Sequence, residues 1–105
     1  SAREALSLAT EGGARVLGFE DAGRIEVGAL ADLALFPVNR LDYAGALSDP
    51  VAALVFCGIR HEADYVMVNG RLVVEHGRLV TIDEDILRDK ANEASRRLLK
   101  KREEV

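Results

Sequence analysis

The sequence predicts an α+β fold in which a small antiparallel β-meander is flanked by helices. Three observations predict it. Residues 64–80 read Asp-Tyr-Val-Met-Val-Asn-Gly-Arg-Leu-Val-Val-Glu-His-Gly-Arg-Leu-Val, with apolar alternation on both sides of Asn69-Gly70. Both central residues of a type I′ turn need φ > 0, which Asn and Gly tolerate best, so this dipeptide between apolar runs marks a hairpin. A second break at His76-Gly77 leaves Arg78-Leu79-Val80 to start a third strand. The second observation is the run 31–38, Ala-Asp-Leu-Ala-Leu-Phe-Pro-Val, which is apolar and bounded by turns, as a buried strand is. Pro37 suits the end of that strand and not its middle. The third is helical periodicity at both ends of the chain.

The helix over residues 1–18 has Ala5, Leu6, Leu8, Ala9, Ala14, Val16 and Leu17 as its apolar members. Ser1 and Glu4 form a potential capping box. Gly12-Gly13 costs about 1 kcal/mol per glycine in a helix interior, so a break into two short helices is expected there. Gly18 is placed to stop the helix. Residues 19–30 form a turn-rich connector, with one extended piece at 24–27 carrying Ile25 and Val27. Asp32 opens the next strand, where its side chain suits nearby backbone N–H groups better than chemistry.

Residues 39–63 are less regular. Asn39-Arg40-Leu41-Asp42 is polar punctuation. Ser48-Asp49-Pro50 reads as a helix start, with Pro at the first helical position, and the short helix near 50–57 closes at Gly58. Cys57 on that apolar segment reads as a small buried hydrophobe. After the meander, residues 83–105 form the C-terminal helix. Thr81 with Glu84 offers a capping box, and Asp83 competes as the cap. Leu87, Ala91, Ala94 and Leu98 make one narrow apolar stripe. Arg96, Arg97, Lys100, Lys101 and Arg102 complement the negative end of the helix dipole.

Composition limits the function classes. The 105 residues amount to one small domain with net charge −4, which argues against a nucleic-acid partner. The imbalance lies in residues 1–82, since 83–105 hold equal numbers of acids and bases. No apolar run approaches the ~18 residues of a membrane span, so no membrane partner is expected. The single cysteine excludes an internal disulfide framework and fits a reducing compartment, hence a cytoplasmic expectation. The chain opens at Ser1 inside a helical pattern without an initiator Met, which leads us to expect a segment of a longer protein. An uncovered meander then needs either the remainder of that chain or a second copy, which makes a homo-oligomer an expected state.

No catalytic, cofactor-binding or metal-ligating residue is expected in this segment. His61 and His76 lack HxH, HExxH or Cys-His metal spacing. His61-Glu62-Ala63-Asp64 brings three potential ligands close in sequence, but the stretch leads into a strand, where neighbours face opposite sides. Nucleophile elbows, P-loops and dinucleotide fingerprints are absent from the sequence.

Three stretches together resemble the C-terminal end of the amidohydrolase superfamily, in its cytosine deaminase and chlorohydrolase branch. They are Ala9-Thr10-x-x-Gly13-Ala14-Arg15-Val16-Leu17-Gly18, then Asp21-x-Gly23-x-Ile25-Glu26-x-Gly28-x-x-Ala31-Asp32-Leu33, then Val68-Asn69-Gly70-Arg71-x-Val73-Val74-x-x-Gly77. The middle stretch, from Leu41 to Ala46 and from Asp49 to Cys57, resembles the purine and triazine members and 8-oxoguanine deaminase most closely. Ala29 departs from the family, which usually has a surface lysine there. The resemblance implies a parent (β/α)8 barrel with a composite β-sandwich built from both chain ends. Residues 1–18 would be the last barrel-type helix, 19–82 the sandwich segment, and 83–105 a terminal helix packing back on the barrel.

It also implies a parent that hydrolyses a C–N bond of a small-molecule substrate, with zinc or iron activating a water. The family's ligands are an HxH pair, two further histidines and an aspartate on barrel strands, and none of these maps onto this sequence. The alternative is a non-enzymatic β-sheet interaction or oligomerisation module.

Overall fold

The computed structural model describes residues 1–104. Helix α1 (Ala2–Ser7) begins at a complete capping box. The Glu4 backbone N–H donates to Ser1 Oγ at 3.2 Å, and the Glu4 carboxylate accepts from the Ser1 nitrogen. Instead of breaking at Gly12-Gly13, the chain widens into a π-helical turn (Leu8–Gly12) and continues as α2 (Gly13–Val16). The widened turn keeps the backbone hydrogen-bonded where two glycines weaken the helix. Gly18, at φ 79°, ends it. Its N–H donates to Arg15 O and that of Phe19 to Ala14 O, which is a Schellman closure.

Residues 24–27 form no strand, and Ile25 and Val27 stand almost fully exposed. Strand β1 (Leu33–Leu35) is shorter than the expected run 31–38, and it is mostly exposed rather than buried, with only Leu33 half-buried. A short 3-10 turn (Leu41–Tyr43) follows. Asp49 caps α3 (Pro50–Phe56) by accepting the Ala52 N–H, with Pro50 in the first turn. α3 packs against α1. Tyr43 and Ala53, each 1% exposed, are the fully buried hydrophobics among the described residues.

The meander comprises β2 (Tyr65–Val68), β3 (Arg71–Glu75) and β4 (Arg78–Leu79). β1 joins it, giving a four-stranded sheet in the order β1-β2-β3-β4, antiparallel throughout. Both hairpins are two-residue turns with positive φ at both positions: Asn69 and Gly70 at 49° and 75°, His76 and Gly77 at 48° and 75°. A bulge interrupts the β2–β3 ladder, so Met67 opposes Leu72 while Val66 opposes Val74. Leu72 and Val74, two apart in sequence, thus meet adjacent residues of β2, whose side chains point to opposite faces.

α4 (Glu84–Glu103) is capped by Asp83, whose Oδ1 accepts the Asp85 and Ile86 N–H groups. Thr81 does not form the cap. Glu84 turns back to accept the Leu79 N–H at 2.9 Å, and Arg78 pairs with both Glu84 and Asp85, tying the start of α4 to β4. Beyond Glu84, every described residue of α4 is exposed.

Two size measures exceed those of a compact domain of this length. The radius of gyration is 18.6 Å, against about 13 Å for a compact domain of this length. The accessible surface is 8545 Å², against roughly 5,800 Å² for a compact 11.4 kDa monomer.

Candidate functional site

Three places bring polar or ionisable groups together. The first is the β1 entry. Asp32 Oδ1 accepts the Asn69 backbone N–H at 2.6 Å, and Ala31 O accepts that of Gly70 at 3.0 Å. Asp32 thus serves a backbone N–H, that of Asn69, which lies far along the chain rather than nearby as expected.

The second is the loop after α3. Asp42, 14% exposed at its side chain, accepts the Ile59 N–H at 3.1 Å and lies 3.5 Å from Arg40. Gly58, at φ 87°, passes so close to the Tyr43 ring that a Cβ there would overlap the phenol. The ring of His61 reaches Cys57 O at 3.0 Å, and Cys57 is half-buried. In the sequence Asp42 reads only as polar punctuation. Its partner, 17 residues away, leaves no local signal.

The third is the second hairpin, where the His76 and Tyr65 rings meet edge-on with centroids 5.3 Å apart. The Tyr65 hydroxyl lies 3.3 Å from His76 Nε2. His61 and His76 therefore engage different partners on different loops.

An open hollow of about 500 Å³ lies between α1, β1 and α3, walled by Leu6, Ala14, Ile25, Leu33, Phe36 and Leu54. Arg24 stands at its rim, held above its ordinary pKa range by its hydrogen bond to Glu26. The hollow's walls are mainly apolar, so it suits packing against another surface better than polar chemistry.

Among the described residues, no group of three His, Cys, Asp or Glu side chains is placed to hold a metal ion. The histidines present do not converge, and each already touches a neighbour. These residues do not fit a metal centre.

The Amidohydrolase family model matches residues 1–73. This chain belongs to the amidohydrolase family. It is 41% identical over 95 residues to 5-methylthioadenosine/S-adenosylhomocysteine deaminase of Desulforudis audaxviator, covering 90% of this chain and 22% of that enzyme. It is 43% identical over 79 residues to 8-oxoguanine deaminase of Pseudomonas aeruginosa, covering 75% of this chain and 17% of the relative. Among solved structures, it superposes on zinc-complexed atrazine chlorohydrolase from Arthrobacter aurescens with a TM-score of 0.80 and 39% identity, covering 90% of this chain and 20% of that one. The amidohydrolase segment thus spans about a fifth of the length of these relatives. Four-fifths of the related solved chain has no counterpart here.

Proposed function

We infer that these residues form a structural segment of a metal-dependent amidohydrolase that deaminates a purine-type or triazine ring, and that they carry none of its catalytic groups. The observation that carries this reading is the identity of 41–43% to two purine-type deaminases, over stretches that are only about a fifth of each. The triazine alternative draws on the chlorohydrolase likeness. Zinc in that solved relative supports zinc as the metal of the whole protein.

In this reading residues 1–18 are the last barrel helix and the four-stranded sheet is one share of a composite sandwich. The exposed β1 flank, with Ile25 and Val27, receives the rest of the chain. The ionisable groups of the segment do architectural work: Asp32, Asp42, Asp49, Asp83 and Glu84 each accept backbone N–H groups. A cytoplasmic enzyme acting on a small molecule fits the lone cysteine.

The test uses the full-length protein that contains this segment. Purified enzyme is offered 8-oxoguanine, 5-methylthioadenosine, S-adenosylhomocysteine and a hydroxytriazine, and ammonia or amine release is followed. Turnover of at least one substrate, abolished by chelation and restored by zinc, is expected. Failure on every substrate in both zinc- and iron-loaded protein overturns the reading.

A further inference from the structure

We propose that Asn69 is a latent deamidation site, held shut by the bonds that tie its turn to β1. The chemistry needs an asparagine whose side-chain amide the next backbone nitrogen can reach. The Gly70 nitrogen attacks Asn69 Cγ, and the side-chain amide nitrogen leaves as ammonia, taking the Gly70 proton with it. A five-membered succinimide forms. Water then opens either C–N bond of the ring, leaving aspartate or isoaspartate at position 69. One water is consumed and one ammonia released, and no electron changes hands.

The first support is selectivity. The three asparagines of the chain are followed by Arg40, Gly70 and Glu93. A side chain on the following residue crowds the forming ring, and Gly70 has none. Asn92 also lies inside α4, where the next N–H belongs to the helical ladder. The His76-Gly77 turn repeats the two positive φ values of Asn69-Gly70 but has no amide to lose.

The second support is the guard. The ring closes only when the Asn69 Cα–C bond rotates until the Gly70 nitrogen eclipses Cβ. A type I′ turn holds ψ of its first central residue at about +30°, which puts that nitrogen on the side away from Cβ. The proton that must leave is engaged, since the Gly70 N–H donates to Ala31 O at 3.0 Å. The Asn69 N–H donates to Asp32 Oδ1 at 2.6 Å. Reaction therefore requires the turn to open. Both bonds lie inside this chain and hold the turn whatever else packs on the sheet.

The third support is what the products do to the guard. Isoaspartate runs the backbone through its side-chain carbon, adding one atom to a two-residue turn. Aspartate puts a new carboxylate on the residue whose N–H the Asp32 carboxylate accepts, and like charges repel. Each product loosens the tie between the hairpin and β1, so the conversion is a one-way ageing step of the sheet.

The experiment ages the full-length protein in mildly alkaline buffer, folded and in denaturant. The peptide carrying residue 69 is read by mass spectrometry and by isoaspartate-specific methyl labelling. Conversion at Asn69 in the denatured chain is expected to outpace that at Asn39 and Asn92, and Gly70→Ala should slow it there. In the folded wild type it should be more than about tenfold slower than in denaturant. Asp32→Ala removes one of the two bonds and should quicken folded-state conversion about tenfold, with Asp32→Asn falling between. Folded wild type converting as fast as the denatured chain overturns the proposal, as does an Asp32→Ala rate equal to wild type. Conversion at Asn39 or Asn92 matching that at Asn69 in denaturant also overturns it. Enzymatic turnover enters none of these readouts, so failure here leaves the deaminase reading standing.

Discussion

Asp32 holds the tip of the β2–β3 hairpin: its Oδ1 accepts the Asn69 backbone N–H at 2.6 Å across 37 positions of sequence. With Gly70 N–H on Ala31 O, the type I′ turn is bound to the start of β1, the strand beside which β2 then lies. One carboxylate thus joins the connector to the meander.

Replacing Asp32 tests that link. Asp32→Ala removes a charged acceptor, worth about 1.5 kcal/mol. Hydrogen exchange of the 64–80 region in the full-length protein should quicken roughly tenfold. Asp32→Asn keeps an oxygen acceptor and should lie between wild type and alanine. Unchanged exchange in Asp32→Ala would show that the turn holds itself.

Gly70→Ala places a Cβ at φ 75°, a conformation costing about 1–2 kcal/mol for an L-residue. Nothing crowds the site, so the loss is conformational alone. Asn69→Gly should be tolerated within about 0.5 kcal/mol, because glycine accepts the same φ. Thermal unfolding of full-length variants ranks the three proteins.

Gly58→Ala is more severe, because φ 87° is joined to a clash with the buried Tyr43 ring. About 2–4 kcal/mol of destabilisation is expected. Measured in a Tyr43→Ala background, the additional cost of Gly58→Ala should be smaller than in wild type, because the clashing ring is gone. A Gly58→Ala protein as stable as wild type would mean that the loop moves freely away from Tyr43.

Removing each reactive side chain of the segment tests its architectural role. Cys57→Ala, His61→Ala and His76→Ala in the full-length enzyme should each leave zinc content unchanged and kcat within about twofold, because none converges with other ligands here. A loss of stoichiometric metal or of orders of magnitude in kcat from any one would place that residue at the chemistry.

Asp83→Ala should cost about 1 kcal/mol by freeing two N–H groups at the start of α4. Faster exchange confined to the first turns of α4 is the expected signature. Exchange as slow as in wild type would transfer the capping role to another residue.

The elements legible in the sequence are those with local causes. Asn69-Gly70 and His76-Gly77 declared their turns because positive φ is a property of single residues. Ser1 with Glu4 and Asp49-Pro50 declared helix starts because caps act within one turn, and Gly18 declared a stop for the same reason. The family resemblance was also readable in the linear chain.

Other features depended on what lies far away. Asp32 and Asp42 had no local sign of the N–H groups they serve. The β2–β3 bulge shifted the phase of an alternation that looked regular, because register is settled between strands rather than within one. The strand over 31–38 shrank to Leu33–Leu35, and the double glycine became a π-helical turn rather than a break. The single sequence determined the turns, the caps and the family. Tertiary structure decided which backbone groups the carboxylates hold and which apolar faces stay open, because those depend on surfaces brought together from distant parts of the chain.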